Sequence, residues 1–219
     1  MKKLIIFGAT EQAQVAHYYF RNHTDYQVTA FTVDSQHLQE SSFCGLPVVP
    51  FENLLTSHST EDHEIFIAIG YNRLNQLRAE KYLESKNKGY SIASYISDKA
   101  NIFTKEIGEN AFILEDNTIQ PFVKIGNNVT LWSGNHIGHH SIIEDHVFVT
   151  SHVVVAGGVR IGEASFLGIN ATIRDHIQIG KRNIIGANAV ILESTPNDAL
   201  YASETTPIAS IPSSKIRNI

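Results

Sequence analysis

Five histidines, His136, His139, His140, His146 and His152, fall within seventeen consecutive residues of a chain that has eleven in all. Neutral imidazole is the side chain best suited to taking a proton near pH 7. Such a base serves any reaction in which an amine or hydroxyl must lose its proton as it attacks. Clustered histidines also bind zinc, but no cysteine ligand accompanies these. Cys44 is the only cysteine. It lies far from the histidines in sequence, cannot form an internal disulfide, and reads as a packed or incidental thiol.

The segment that must position these histidines has a period of six. Every sixth residue from Ile107 to Ile191 is aliphatic: Ile107, Ile113, Ile119, Ile125, Leu131, Ile137, Ile143, Val149, Val155, Ile161, Leu167, Ile173, Ile179, Ile185 and Ile191. Chance gives such a run roughly once in a billion trials at ordinary composition. Glycine often follows the aliphatic, as at Gly108, Gly126, Gly138, Gly162, Gly168, Gly180 and Gly186. Six is not a helical period, and an ordinary sheet alternates with period two. One aliphatic per hexad instead fills the axis of a three-sided prism, with a short strand on each face and a turn at each corner. Three hexads make a coil, so residues eighteen apart stack. The rule sets Gly157 one coil above His139, Ile169 under Ala187, and Gly134, His152 and Asn170 on a line of their own. A glycine leaves its N–H uncovered, which suits a donor to an oxyanion.

Residues 1–95 follow a different rule. Strands over 3–7, 27–33 and 64–69 alternate with helices over 11–20 and from about 73 to 86, the pattern of a small parallel sheet. Gly8-Ala9-Thr10 ends the first strand and opens a helix, where backbone N–H groups hold phosphate. Asp34 ends the second strand and suits a ribose or base. Gly70-Tyr71-Asn72 ends the third, at the edge where such sheets bind ligands. The first turn lacks the later glycines of a dinucleotide fingerprint, which argues against NAD.

Composition excludes several classes. The 219 residues carry a net charge of -5 with a pI near 6.1, so no basic footprint for nucleic acid is present. No apolar run is long enough to span a bilayer. The N-terminal run Leu4 to Phe7 is too short for a signal sequence. The expectation is a cytoplasmic protein with neither membrane nor nucleic-acid partner.

The hexad repeat and the Gly8-Ala9-Thr10 turn together resemble the hexapeptide-repeat acyltransferases. Within them the chain is similar to the bacterial sugar acyltransferases typified by NeuD, PglD and VioB. The resemblance implies an N-terminal α/β Rossmann-like domain over 1–95, followed over 96–219 by an all-β, single-stranded, left-handed parallel β-helix with a C-terminal tail. It implies acetyl-CoA as co-substrate, no metal, and a homotrimer with active sites between subunits. The stretch Ile137 to Ile143 resembles the catalytic coil, and His139 matches the base that deprotonates the nucleophile as it attacks the thioester. Gly157, Ile169 and Ala187 match positions that meet acetyl-CoA. Gly8, Ala9, Thr10, Asp34, Gly70, Tyr71 and Asn72 match the nucleotide-sugar contacts. One departure stands out: the family commonly places an acid after the histidine, and here that place is His140. The partner of His139 is then open among Asp145, Glu144 and a residue of a neighbouring chain, and His140 or His152 is open as sharing the base role. The implied activity is N-acetylation of a UDP- or dTDP-linked 4-amino-4,6-dideoxy sugar in surface glycan synthesis. The alternatives are O-acetylation of the sialic acid type and a non-catalytic β-helix binding module.

Overall fold

The structure is a computed structural model and describes residues 2–216. Its first part is a sheet of six strands in the order β3-β4-β2-β1-β5-β6. These are β1 (Lys2–Phe7), β2 (Tyr26–Val33), β3 (Ser42–Phe43), β4 (Leu46–Pro50), β5 (His63–Ile67) and β6 (Ser91–Ile92). All pairs are parallel except the β3–β4 hairpin. Leu4, Ile5 and Ile6 are fully buried, as an unbroken apolar run requires of a central strand covered on both faces. Helix α1 (Glu11–His23) buries Ala13, Ala16, His17 and Phe20, a spacing that puts all four on one side. Helix α2 (Gln76–Asn87) follows β5. The sequence pattern located β1, α1, β2, β5 and the end of α2 but gave no sign of the short strands β3, β4 and β6. In the hairpin turn Cys44 and Gly45 both have positive φ, the geometry of a two-residue hairpin, and Cys44 is exposed.

The second part is the left-handed parallel β-helix. Its rungs are two residues long and stack into three faces of six, four and seven strands. Partners are eighteen residues apart, as in Thr118↔His136, His136↔Val154 and Val154↔Thr172. Fourteen of the fifteen hexad aliphatics are buried along the axis, with Ile107 packed against them half-buried. The glycine after the aliphatic has a steric reason. A Cβ on Gly138 would stand 2.6 Å from the backbone of Ala156 and Gly157 in the next coil. Each corner closes through a residue in the left-handed region, among them Asn128, His140, His146, His152 and Asn170.

The coil begins earlier than the hexads from Ile107 suggest. Tyr95–Ile96 already pairs with Phe112–Ile113, and Asn101–Ile102 with Thr118–Ile119. Ile102 and Ile107 are five apart rather than six, so one corner is a residue short and the repeat is out of phase there. Strand partners change from sheet to β-helix between Ile92 and Tyr95.

One face of the prism carries the N-terminal domain. Arg78 of α2 is 1 % exposed. It donates to the carbonyls of Asn128 and His146, the latter at 2.9 Å, and to Thr130 Oγ1 at 3.1 Å. Asn75 Nδ2 donates to the Ala164 carbonyl at 3.0 Å. Asn110 Oδ1 accepts the Ile67 N–H at 2.8 Å, tying the end of β5 to the same corner. Tyr71 lays its ring against Phe148 and Phe166, with centroids at 5.3 and 4.8 Å.

Candidate active site

His139 lies on the corner that joins the six-stranded and four-stranded faces, directly beneath Gly157. A Cβ built on Gly157 would be 2.7 Å from His139 Cε1 and 2.8 Å from Nε2, so the imidazole rests on the bare glycine. The Gly158 N–H donates to the His139 carbonyl at 2.8 Å and holds the two coils in this register. The His139 N–H donates to Gln120 Oε1 at 2.8 Å. Both His139 and His140 are exposed.

The hexad has one backbone N–H that the ladder does not use, in the residue after the corner glycine position. At Glu109, Asn127, His139, Glu163 and Lys181 a side-chain oxygen accepts it. At Gly157, Ile169 and Ala187, as at Glu115, Ser133, Asp145, Ser151 and Asp175, it meets no acceptor on another described residue. Among these open amides, that of Gly157 belongs to the glycine on which the His139 ring rests, and those of Ile169 and Ala187 stack on another corner. Gly168 lets the Ala187 nitrogen approach, since a Cβ there would sit 2.6 Å from it.

The sequence left the partner of His139 open among Asp145, Glu144 and another chain. The structure supplies a different one. His139 Nδ1 and His140 Nδ1 are 3.1 Å apart. Asp145 sits on the next corner, where its Oδ1 accepts the Asn127 N–H at 2.7 Å. Glu144 pairs with Arg160 at 2.6 Å and accepts the Glu163 N–H. His152 is on the third corner, its ring against Gly134 as the stacking line predicted, and does not meet His139 within the chain. The physical reason is the prism itself: each hexad turns the chain onto a new corner, so neighbours in sequence separate in space.

His146, another of the clustered histidines, is buried. Its Nδ1 accepts from Asn128 Nδ2 at 2.9 Å, and Asn128 Oδ1 accepts from Asn110, a ladder with steps of eighteen. Burial lowers the His146 pKa, and the nearby Arg78 charge lowers it further. Burial also pulls the Arg78 guanidinium down to about 9. Among the described residues no three His, Cys, Asp or Glu side chains converge as metal ligands would. No helix there is long and apolar enough to cross a membrane.

The three N-terminal segments meet at one edge, since β2, β1 and β5 are adjacent and each segment follows a strand end. Gly8 has φ +125 and would clash with the Ala68 carbonyl if it had a Cβ, 2.9 Å away, so glycine is required there. Ala9 is half-buried and Thr10, exposed, makes no capping bond to α1. Asp34 is not a free carboxylate: Lys81 pairs with it at 2.8 Å and also with Glu84. Burial works against the Lys81 charge, but these two bonds outweigh it and raise its pKa. A cavity of about 350 Å³ opens beside this pair, between Ser35, Glu52 and Lys88. Tyr71 is 56 % exposed despite its aromatic contacts, and Gly70 and Asn72 lie open on either side. Lys81 and Arg78 escaped the sequence reading, because a cation on a helix ordinarily faces solvent. Their only signal was a 3-residue spacing that puts them on one helical face.

The N-terminal domain covers the seven-stranded face, and His139 sits on the corner opposite that face. Within one chain the sheet edge and the imidazole therefore look in different directions.

Residues 3–84 match the PglD N-terminal domain family, and residues 104–138 and 158–193 match the bacterial transferase hexapeptide family of six repeats. The chain is 28% identical over 151 residues to a serine acetyltransferase of Haemophilus influenzae, covering 64% of this chain and 52% of that protein. It thus spans about half the length of the curated relative it matches. Among solved structures, it resembles the acetyltransferase domain of PglB from Neisseria gonorrhoeae in complex with acetyl coenzyme A, with TM-score 0.81, 22% identity, and 92% and 96% of the two chains covered. It also resembles PerB from Caulobacter crescentus in complex with CoA and GDP-perosamine, with TM-score 0.81, 24% identity, and 93% and 95% covered. At these identities the likeness establishes the shared fold.

Proposed function

Because the chain belongs to the hexapeptide-repeat bacterial transferases that carry a PglD N-terminal domain, we propose that it is an acetyl-CoA-dependent N-acetyltransferase acting on a nucleotide-linked 4-amino-4,6-dideoxy sugar. The observation that carries this reading is the His139 imidazole resting on Gly157, beside a backbone N–H with no protein acceptor. His139 Nε2 takes the proton of the sugar amine as its nitrogen attacks the thioester carbonyl. The Gly157 N–H donates to the oxygen on which negative charge develops. The carbon–sulfur bond then breaks and CoA thiolate leaves. Attack is direct, with no acyl-enzyme. The unpaired amides of Ile169 and Ala187 suit the polar groups of a pantetheine arm.

The Gly8-Ala9-Thr10 turn, Asp34 and the Gly70-Tyr71-Asn72 segment bind the nucleotide-sugar in this reading. Asp34 acts there in partnership with Lys81, so the base or ribose meets an ion pair. The nucleotide is UDP or dTDP, with GDP added by the ligand of the PerB complex. The enzyme works as a homotrimer, in the cytoplasm, in surface glycan synthesis. Two observations support the assembly. The sheet edge and His139 face different ways within one chain, so a second chain has to bring substrate to the imidazole. The six-stranded face also exposes Val154 and Val190, one rung either side of Thr172, apolar side chains suited to contact with a second copy.

The test is thiol release from acetyl-CoA with a panel of UDP-, dTDP- and GDP-linked 4-amino sugars, run beside free sugars. Amide product is expected only with the amino sugars. His139→Asn is expected to lower kcat by about a hundredfold or more with folding intact. Ester product, or a His139→Asn enzyme within a few-fold of wild type, would reject N-acetylation or the base, respectively.

A further inference from the structure

The contact between two imidazoles at the candidate site carries a consequence for their protons. His139 Nδ1 and His140 Nδ1 are 3.1 Å apart, so one proton lies between them and only one ring donates. If His140 donated, His139 would hold its proton on Nε2 and would have no lone pair there. If His139 donates, its Nε2 is bare, beside the Gly157 on which the ring rests. The His140 ring is held in place. The residue has φ +60 at the corner, its own N–H donates to the Pro121 carbonyl, and its ring packs on Phe122 of the coil below at 4.7 Å and 34°.

We propose that His140 is the positioning residue of this site: it accepts the Nδ1–H of His139, selects the tautomer with a free Nε2, and takes over the Nδ1 proton during the reaction. This rests on the reading of His139 as the base. The amine lone pair forms the carbon–nitrogen bond and the amine proton passes to His139 Nε2. The Nδ1 proton of His139 passes to His140 Nδ1. His139 is then neutral with its proton on Nε2, and His140 is an imidazolium exposed to solvent. The carbon–sulfur electrons leave with CoA thiolate, which the His140 proton neutralises through water, and proton exchange with solvent at the two exposed rings returns His139 to the Nδ1–H form. A carboxylate at position 140 would do the first task and stabilise charge. A second imidazole also exports the proton.

The test uses substitutions that suit a left-handed corner, so the fold is retained: His140→Gly, which has no acceptor, and His140→Asn, whose Oδ1 accepts. In the free, uniformly folded protein labelled with [15N]histidine, long-range proton–nitrogen spectra report each ring's tautomer. The His139 ring, identified by its loss in His139→Asn, is expected to carry its proton on Nδ1 in the wild type and on Nε2 in His140→Gly. With acetyl-CoA and the amino-sugar acceptor, His140→Gly is expected to lower kcat by about 10–100-fold while KM for acetyl-CoA changes by less than about threefold. His140→Asn should recover part of that loss. In the His139→Asn background, His140→Gly should add nothing further. An unchanged His139 tautomer in His140→Gly overturns the proposal, as does a kcat within about threefold of wild type while His139→Asn is inactive. If His139→Asn is itself active, the base reading fails, and the tautomer spectra still decide the positioning role separately.

Discussion

Replacing Gly157 with alanine probes the contact on which the proposed chemistry depends. The new Cβ would fall 2.7 Å from His139 Cε1, 2.8 Å from Nε2 and 3.2 Å from Nδ1. Carbon atoms in ordinary contact are about 3.5–4 Å apart, so the ring has to retreat by roughly 0.7 Å or more. Gly157 itself has no positive φ, and the ring is exposed, so it can swing outward at small cost to the fold. The stability of Gly157→Ala should therefore stay within about 0.5 kcal/mol of wild type by urea unfolding. Catalysis is less tolerant. A displacement near 1 Å can cost about a hundredfold, so kcat should fall by roughly 10–100-fold, or about 1.4–2.8 kcal/mol of transition-state stabilisation. The matched control is Gly134→Ala. Its Cβ would meet the His152 ring at the same 2.7 Å, but on another corner and at φ +79. It should cost about 1–2 kcal/mol in stability from the left-handed backbone. Its kcat should remain within about threefold of wild type. Thiol release under saturating acetyl-CoA reads both. A Gly157→Ala enzyme with wild-type kcat would refute the argument. A Gly134→Ala enzyme with the larger loss would shift the base to His152.

Three further outcomes follow from the packing. Arg78→Ala leaves the Asn128 and His146 carbonyls without their buried donor and should cost roughly 2–4 kcal/mol by urea unfolding, with the N-terminal domain more open to proteolysis. Leu167→Ala hollows the prism axis at a fully buried position and should cost about 2–5 kcal/mol in the same measurement. The buried His146 has its folded pKa lowered from 6.5 by burial and by Arg78. The folded state thus binds its proton less readily than the unfolded chain, and this stability is present above pH 6.5 and lost as pH falls toward the folded value. Unfolding curves between pH 7.5 and 5 should show that loss, and His146→Asn should make it shallower.

The hexad positions told most of the fold because a coil of three equal sides fixes both the axis and the register. Ile113 to Ile191 and the Gly157–His139 stack needed only addition. That rule fails where the geometry changes. The five-residue step from Ile102 to Ile107 hid the first coil, since one missing residue shifts every later phase. β3 and β4 carry too few residues to show a period. The His139–His140 contact was not legible either. Adjacent side chains on a strand point apart, but the left-handed backbone at His140 lets the two rings meet. Arg78 gave no signal either: a helical cation ordinarily faces solvent, and this one is buried because five oxygens of its own and the neighbouring domain surround it.

The position of His139 also explains why a stack that fixes geometry so well needs something further. An exposed imidazole on an outward corner is surrounded by water, where a hydrogen bond to a developing oxyanion is worth little because water competes for it. In the proposed mechanism the Gly157 N–H gains its advantage only when another surface closes over the notch and excludes solvent. The N-terminal domain of the same chain does not provide that surface, because it lies on the opposite face of the prism. Three chains packed on their exposed valine-bearing faces would turn each outward corner into the wall of a cleft. Charged residues placed on that face, Val154→Glu with Val190→Glu, should therefore yield a folded monomer by light scattering that retains its circular dichroism and loses thiol release altogether. A monomer that still turns over at the wild-type rate would mean that one chain completes the site.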